Sequence, residues 1–442
     1  MAKDTSLSLR NKIIYQVFVR NYSKEGTFKA LELDLDRIKD LGVDYIYLLP
    51  IHEIGQKERK GSMGSPYSIK DYYSITSDYG TEEDLKSLIN SAHNKDMKII
   101  LDIVFHHTSK DSILLNEHPE WFYSKNGKIC NRIEDWSDVS DLDFEKDKSL
   151  WEYLIDVLKY WAKIGVDGFR CDVSSLVPIE FWIYAREEIS KIKEDFLWIS
   201  ESTHYGFIKY NRDRGYYACE EPKMYDAFDM SYDYDVEPLM ARYLRNEDTL
   251  KPYIDGLINQ EGNFPTNYIK MHNLENHDFD RIALYLANDH LRILNWHTFL
   301  YMLKGSVMIY AGEEFEDSNK PNLFEKDIVN YNGTNISKFL YRLSLIKHKD
   351  IFTNGIYNIS ITKVKDVVEI TWENEKEKII SIVDLGIQNS GKVDVELSDG
   401  NYINYINEEL IKIKNHQIYF DGYPVIIHYY KTKQNQKYIE SK

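Results

Sequence analysis

Four short segments place acidic or histidine side chains directly after runs of hydrophobic residues. In chain order they read Asp-Ile-Val-Phe-His-His (102–107), Gly-Phe-Arg-Cys-Asp (168–172), Ile-Ser-Glu (199–201) and Glu-Asn-His-Asp (275–278). A βα-barrel carries its reactive groups at the C-terminal ends of its strands, so ordered segments of this kind predict one shared site. The carboxylates among them are suited to acid–base and nucleophilic chemistry.

Hydrolysis of a glycosidic bond needs two carboxyl groups, one that donates a proton and one that attacks or activates water. Asp172 lies two residues after Arg170, and positions two apart in an extended strand point to the same side. We expect the cation to keep Asp172 ionised, as a nucleophile must be. For this short segment taken alone, an ordinary Arg–Asp ion pair is the more common interpretation.

Glu201 ends the apolar run 196–200, and apolar surroundings raise the pKa of a carboxyl group, so we expect Glu201 to hold a proton near neutrality. An acidic residue at the start of a helix is the alternative interpretation. Asp278 is placed to bind substrate hydroxyls and to stabilise positive charge, and His107 and His277 add hydrogen-bond donors. Together these residues predict a glycosidase site.

Composition limits the classes of partner. The 442-residue chain has a net charge of −17, which argues against nucleic acids and anionic membranes, because both are bound through Lys and Arg. Cys130, Cys171 and Cys219 have no metal-binding spacing and suit a reducing compartment. The first residues show no signal-peptide pattern, and no run reaches about 18 apolar residues. The sequence predicts a cytoplasmic protein that acts on a small-molecule oligosaccharide.

Strand-like and amphipathic runs alternate between residues 13 and 346, which predicts eight βα units and hence a closed (β/α)8 TIM barrel. Predicted helices include 30–41, 81–95 and 150–164, and Thr81 before three acidic residues is typical of an N-cap. The predicted barrel strands are 13–19, 45–49, 98–104, 168–171, 197–200, 225–228, 268–272 and 306–310.

The third predicted strand is followed by about forty residues, which predicts a small inserted B domain. We expect Trp121, Phe122 and Trp136 to form the core of this insertion, although they could instead wall off one side of a cleft.

Short alternating runs near the C-terminus predict an antiparallel β-sandwich, with strands at 359–364, 368–372, 379–383, 418–420 and 425–430. The predicted domains are the first part of the barrel (1–107), the insertion (108–148), the second part of the barrel (149–346) and the sandwich (347–442).

The four segments resemble the four signature regions of the α-amylase family, glycoside hydrolase family 13. Residues 64–72, Gly-Ser-Pro-Tyr-Ser-Ile-Lys-Asp-Tyr, also resemble that family's Tyr-x-x-x-Asp segment. The resemblance covers the barrel, the insertion and the sandwich. It implies a retaining mechanism with Asp172 as nucleophile, Glu201 as acid/base and Asp278 as transition-state stabiliser. It further implies that the sugar is bound by Tyr67, His107, Arg170 and His277.

Two departures from the family's pattern concern its structural calcium ion. Many members have Asn-His in the first region and Lys-His after the nucleophile, where this chain has His106-His107 and Ser175-Leu176. Calcium prefers oxygen ligands, so His106 is a poor substitute, although Asp141 could be a remnant of the site. We therefore expect no metal and no cofactor. Adjacent histidines on a strand should point to opposite faces, which also argues against a catalytic metal.

The leading hypothesis is a hydrolase that cleaves α-1,4 bonds of maltodextrins through a covalent glycosyl-enzyme. An α-glucosidase, a cyclomaltodextrinase or a glucanosyltransferase on the same scaffold is the alternative. A catalytically inactive glycan-binding protein is a hypothesis of another class, and the presence of all three carboxylates disfavours it.

Overall fold

Eight parallel strands close into a barrel in the computed structural model, which describes residues 5–431. Each strand pairs with the next one along the chain, and the eighth pairs with the first. The strands are β1 (Ile13–Val17), β2 (Tyr45–Leu48), β3 (Lys98–Ile103), β4 (Gly168–Cys171), β5 (Leu197–Ser200), β6 (Met230–Tyr232), β7 (Lys270–His272) and β8 (Gly305–Tyr310).

Helices cover the outside of the barrel, which is why its strands read as nearly continuous apolar runs. Every residue of β2 and of β8 is buried. Among residues 5–431, no helix combines the length and apolarity needed to cross a lipid bilayer. The α-helices are Val19–Tyr22, Phe28–Leu33, Leu35–Lys39, Glu82–His93, Ile113–Glu117, Ser149–Ile164, Ile179–Ser190, Tyr205–Asp213, Glu221–Met224, Glu237–Leu244, Lys251–Asn263, Ile282–Tyr285, His290–Met302, Ser337–Lys347 and Ile351–Asn354. The 3-10 helices are Leu7–Asn11, Ser77–Tyr79, Pro119–Trp121, Ser174–Leu176 and Glu313–Phe315.

Helix Glu82–His93 illustrates how local sequence sets an element's start. The Thr81 side chain accepts a hydrogen bond from the Asp84 backbone, and the Asp84 side chain accepts one from the Thr81 backbone. This reciprocal capping box satisfies two backbone donors at the helix start and confirms the predicted N-cap.

The predicted set of eight barrel strands is confirmed, but the sixth strand was wrongly placed at 225–228. Those residues form turns after helix Glu221–Met224, since the backbone N–H groups of Ala227 and Phe228 both donate to Met224 O at 3.0 Å. The strand is Met230–Tyr232 instead. Both runs are short and largely buried, and periodicity cannot distinguish a buried turn from a buried strand of that length.

The segment after β3 leaves the barrel as a small antiparallel unit in which His107–Ser109 pairs with Val139–Asp141. Trp121 and Phe122 are buried, but they belong to the same apolar cluster as the barrel strands, so the prediction that they form the core of the insertion was wrong. Further two-stranded pairs join Ser124–Lys125 to Lys128–Ile129, and His52–Ile54 to Ile69–Ile75 in the loop after β2.

The C-terminal part is the predicted antiparallel sandwich of two four-stranded sheets, and residues of both sheets share one core. Three of its strands were not predicted, because each is short and fully buries only one residue. The first sheet has the order β9 (Ile356–Ile361), β10 (Val367–Glu373), β11 (Glu377–Asp384) and β16 (Val425–Tyr430). The second has the order β12 (Gly391–Asp394), β15 (Gln417–Phe420), β14 (Leu410–Lys414) and β13 (Gly400–Ile403).

Candidate active site

The predicted carboxylates Asp172 and Glu201 lie at the ends of adjacent strands. Asp172 directly follows β4 and Glu201 directly follows β5, whose last residues, Cys171 and Ser200, are paired. The Glu201 backbone N–H donates to Cys171 O at 3.1 Å, which extends the pairing by one residue. Their side chains are only 9% and 10% exposed. Strand register thus holds the two carboxylates side by side in a site that is largely shielded from solvent.

Arg170 contacts both carboxylates. Its fully buried guanidinium donates through Nη1 to Asp172 Oδ1 at 3.0 Å, and Nη2 lies 3.1 Å from Glu201 Oε2. The prediction that Arg170 and Asp172 point the same way is confirmed. A cation shared in this way offsets the repulsion between two neighbouring buried carboxylates.

Asp102 is a third partner of Arg170, and the sequence reasoning did not assign it a place in the site. Its two carboxylate oxygens accept hydrogen bonds from Arg170 Nη1 at 2.9 and 3.1 Å, and Tyr47 Oη donates to it at 2.6 Å. Burial raises the pKa of Asp102 to about 6 against the attraction of Arg170. The sequence carried a signal for this role, because Asp102 interrupts the apolar run 99–103 and a buried carboxylate needs a buried partner.

Tyr67 and His277 form one wall of the site. Their rings stack with centroids 5.3 Å apart, and Tyr67 Oη lies 2.5 Å from His277 Nε2. Gln16 of β1, which the sequence reasoning missed, lies 3.1 Å from His277 Nδ1 and fixes the ring from its other side. Burial and the charge of Arg170 lower the pKa of His277 well below its ordinary value, so its imidazole is neutral.

Six of the seven predicted site residues line a single cavity of about 270 Å³, and Arg170 lies beneath its floor. Asp278 is the most open of the carboxylates. Its side chain is 41% exposed, and its Oδ2 lies 3.3 Å from His277 Nε2. The lining residues predicted from sequence are Tyr67, His107, Asp172, Glu201, His277 and Asp278.

The charge state of Asp172 differs from the expectation drawn from Arg170 alone. Burial and the negative charge of Glu201 raise the pKa of Asp172 well above its usual range, and the attraction of Arg170 does not overcome them. The expectation that Arg170 keeps Asp172 ionised is therefore not supported for the substrate-free site. A pair that retains one proton supplies both an ionised and a protonated carboxyl group.

His106 and His107 do not point to opposite faces as predicted, because β3 ends at Ile103 and His106 lies beyond the strand. Their Nδ1 atoms are 3.2 Å apart. Burial lowers the pKa of His107 to about 4, which keeps its ring neutral. Trp136 of the insertion packs against His107 with ring centroids 5.3 Å apart and lines the cavity. Trp136 thus belongs to the site, and its apolar neighbours Val173 and Leu176 lie outside the insertion.

Within residues 5–431, His106, His107 and Asp141 are the one group whose ligand atoms lie close enough together to hold a metal ion, all within 4.8 Å. Two imidazole nitrogens and one carboxylate do not fit calcium, which takes six to eight oxygen ligands. Arg132 already supplies a cation, since its backbone N–H donates to Asp141 Oδ2 at 2.7 Å and its Nη1 lies 3.5 Å from the same oxygen. The donor set therefore disagrees with the calcium ion that the family resemblance would imply.

A βα-barrel with paired carboxylates at its strand ends defines the glycosidase class of enzyme. Comparison with known proteins gives the family. The alpha-amylase catalytic domain matches residues 13–137 and 133–350, and the bacterial alpha-amylase C-terminal domain matches residues 358–427. The chain belongs to the alpha-amylase family.

Solved relatives match the whole fold. An alpha-amylase from Lactobacillus plantarum is 40% identical with a TM-score of 0.93, over 96% of this chain and 100% of that chain. A maltogenic alpha-amylase from Thermotoga neapolitana is 31% identical with a TM-score of 0.85, again over 96% and 100% of the two chains.

Curated relatives match over shorter spans. An alpha-1,4-glucan:maltose-1-phosphate maltosyltransferase from Picrophilus torridus is 33% identical over 42% of this chain and 32% of its own. An intracellular maltogenic amylase from Bacillus subtilis is 25% identical over 65% of this chain and 48% of its own. The chain thus spans about a third of the length of the first of these relatives.

Proposed function

We propose that this protein hydrolyses α-1,4-glucosidic bonds of maltodextrins with retention of anomeric configuration. One observation carries the proposal: Arg170 contacts carboxylates at the ends of two neighbouring strands. Neighbouring strands lie about 4.8 Å apart. Carboxyl pairs of retaining enzymes are about 5–5.5 Å apart, whereas inverting enzymes need about 6.5–9.5 Å to admit a water. The strand spacing does not itself fix the carboxyl separation, so the proposal of retention rests on the match to the alpha-amylase catalytic domain.

Asp172 is the proposed nucleophile and Glu201 the proposed acid/base. Asp172 attacks the anomeric carbon while Glu201 protonates the glycosidic oxygen, and the leaving sugar departs with that proton. Glu201, now ionised, removes a proton from water as the water oxygen bonds to the anomeric carbon, and the bond from that carbon to Asp172 breaks and releases Asp172 as a carboxylate. Asp278, on the open side of the same cavity, carries negative charge that stabilises the oxocarbenium-like transition states.

The remaining predicted residues bind the sugar in this proposal. His107 and His277 are neutral rings, so each can both donate to and accept from sugar hydroxyls. The Tyr67 ring offers an apolar face for the pyranose, and its position is fixed by a hydrogen bond to Asp102 at 3.0 Å. A neutral glucan suits a site whose lining includes four carboxylates.

The relatives support the substrate class. Solved neighbours are named alpha-amylase and maltogenic alpha-amylase, and a Bacillus subtilis relative is named an intracellular maltogenic amylase. We infer that maltodextrins inside the cell are the substrate, with no nucleic-acid or membrane partner. The maltosyltransferase relatives favour glycosyl transfer as a second candidate, in which a sugar instead of water opens the glycosyl-enzyme.

The decisive experiment is a product profile from maltoheptaose, sucrose and isomaltose at neutral pH, with the first-formed anomer identified by ¹H NMR. Short α-anomeric maltooligosaccharides from maltoheptaose alone are the expected result. Products longer than the substrate would select transfer. Cleavage of sucrose or isomaltose would assign the protein a different activity of the same scaffold. No turnover of any substrate would favour the alternative of an inactive glycan-binding protein.

A further inference from the structure

The loop after β2 is joined to the insertion by hydrogen bonds and an ion pair at the mouth of the barrel, the end where the strands finish and the site opens. Lys60 Nζ donates to Asp135 O at 2.9 Å and lies 3.3 Å from Asp138 Oδ1. The Asp138 side chain is only 6% exposed, so this ion pair is shielded from solvent on one side. Ser68 Oγ of the same loop also donates to Asp138 O at 3.2 Å.

On its other side, the same loop is bound to the loop after β8. The Ser62 backbone N–H donates to Glu325 Oε1 at 2.7 Å, and the Met63 backbone N–H donates to Phe324 O at 3.1 Å. Ser62 Oγ makes a further hydrogen bond to the Glu325 carboxylate. Residues 60–64 and 323–325 together are called the rim below.

The two halves of the rim are in close contact. Gly61 has φ +67°, and a Cβ at this position would lie 2.6 Å from Phe324 Cβ, so only glycine allows the approach. Arg20, which is 3% exposed, fixes both halves from below, since its Nη1 donates to Gly64 O and to Leu323 O, each at 3.0 Å. These contacts fix the position of the rim at the opening of the barrel.

The rim lies across the mouth from Glu201. In the closed barrel, β1 lies four strands from β5 in either direction, and β2 and β8 are the neighbours of β1. Loops after β2 and β8 therefore face the strand end that carries Glu201. Glu201 must reach the glycosidic oxygen. The part of the glucan that leaves after cleavage therefore extends toward the Glu201 side of the cavity. The part that stays attached to Asp172, which carries the non-reducing end, extends toward the rim.

We propose that the rim ends the glycone side of the site, so that the protein removes short units from the non-reducing ends of α-1,4-glucans instead of cutting within chains. This inference rests on the function proposed above. Lys60 and Phe324 both line the cavity that holds the carboxylates. At about 270 Å³ that cavity is small beside ligand pockets of about 300–1,000 Å³. The Lys60 ammonium donates to the terminal sugar's hydroxyls, and the Phe324 ring covers its face.

The test compares two forms of maltoheptaose with a fluorescent label at the reducing end. One form has a free non-reducing end and the other has that end blocked by an ethylidene group. The full chain should cleave the free form at least about tenfold faster, and its first labelled products should be only one or two units shorter than the substrate. Equal rates on both forms, with labelled products of all lengths from the start, would overturn the inference and leave the proposed function standing. Turnover of neither form would overturn both.

Variants of the rim sharpen the test. Lys60→Ala and Phe324→Ala should raise the rate on the blocked form relative to the free form by about tenfold. Lys110→Ala is the matched control, because Lys110 pairs with Glu58 of the same loop at 2.5 Å but does not line the cavity. An unchanged ratio in Lys60→Ala, with an unchanged melting temperature, would contradict the assignment. Lys60 is 35% exposed, so this variant is expected to fold even if Phe324→Ala does not.

Discussion

The backbone N–H of Val173 donates a hydrogen bond to Glu201 Oε2 at 2.6 Å. Val173 has φ +34° and ψ +41°, in the left-handed region that β-branched residues rarely adopt. Strain of this kind costs about 1–3 kcal/mol and persists where the surrounding structure enforces it. Here the strained residue directly follows Asp172, so the chain conformation beside one carboxylate orients the other.

Glu201→Gln should separate proton donation from positioning, because the glutamine carbonyl can still accept from Val173. Turnover of maltoheptaose should fall by about 10²–10⁴-fold, the usual contribution of a general acid. Maltosyl fluoride needs no protonated leaving group, so its glycosylation step should be spared, and added azide should restore its turnover by replacing water. Equal losses on both substrates without azide rescue would assign Glu201 another role.

Asp172→Asn should abolish turnover and leave the fold intact. The asparagine keeps an oxygen that can accept from Arg170, but it cannot attack the anomeric carbon. We expect kcat on maltoheptaose to fall by about 10⁴-fold or more. Circular dichroism and the melting temperature check the fold, which should not suffer, because burial already disfavours the ionised form of Asp172. Residual activity near that of the wild type would remove Asp172 from the nucleophile's role.

The floor of the site could be predicted from sequence because it depends on local spacing and on one topological rule. Arg170 and Asp172 share a side because they are two residues apart on a strand. Glu201 and His277 reach the same cavity because the C-terminal ends of parallel barrel strands converge. Neither inference needs information about loops.

The other residues around the site, beyond the wall of Tyr67 and His277, could not be predicted in the same way. Gln16, Lys60 and Phe324 come from β1 and from the loops after β2 and β8, and no local spacing links them to the carboxylates. The contact between His106 and His107 was missed because it depends on where β3 ends, which residue patterns locate only to within about two to four residues.

Chelation by EDTA should leave both activity and melting temperature nearly unchanged. The reason is the nitrogen-rich donor set around Asp141, whose carboxylate already pairs with Arg132. An ion bound at a concentration of about 100 times its Kd would stabilise the fold by about 2.7 kcal/mol. A fall of several degrees on chelation, reversed by added calcium, would therefore show that a calcium site exists despite His106.

Acid should destabilise the protein partly through His52, a residue outside the active site. Its buried ring packs edge-on against Tyr72 and Trp161, with centroids 6.1 and 5.3 Å away, and neither ring nitrogen makes a hydrogen bond within residues 5–431. Burial lowers the pKa of His52 from 6.5 to about 4. Between these pH values the unfolded chain binds the proton more tightly, so the stability contributed by the neutral ring is present above pH 6.5 and is lost as pH falls toward 4.

His52→Phe should remove this dependence and keep an aromatic ring in place. Between pH 7.5 and pH 5, the free energy of unfolding of the wild type should fall by about 2 kcal/mol more than that of the variant. Urea unfolding at both pH values measures the difference. His107, with a pKa of about 4, titrates in both proteins and cancels from the comparison. Equal losses in the two proteins would mean that His52 is protonated in the folded state or reached by water, because only a buried neutral imidazole links folding to proton release in this pH range.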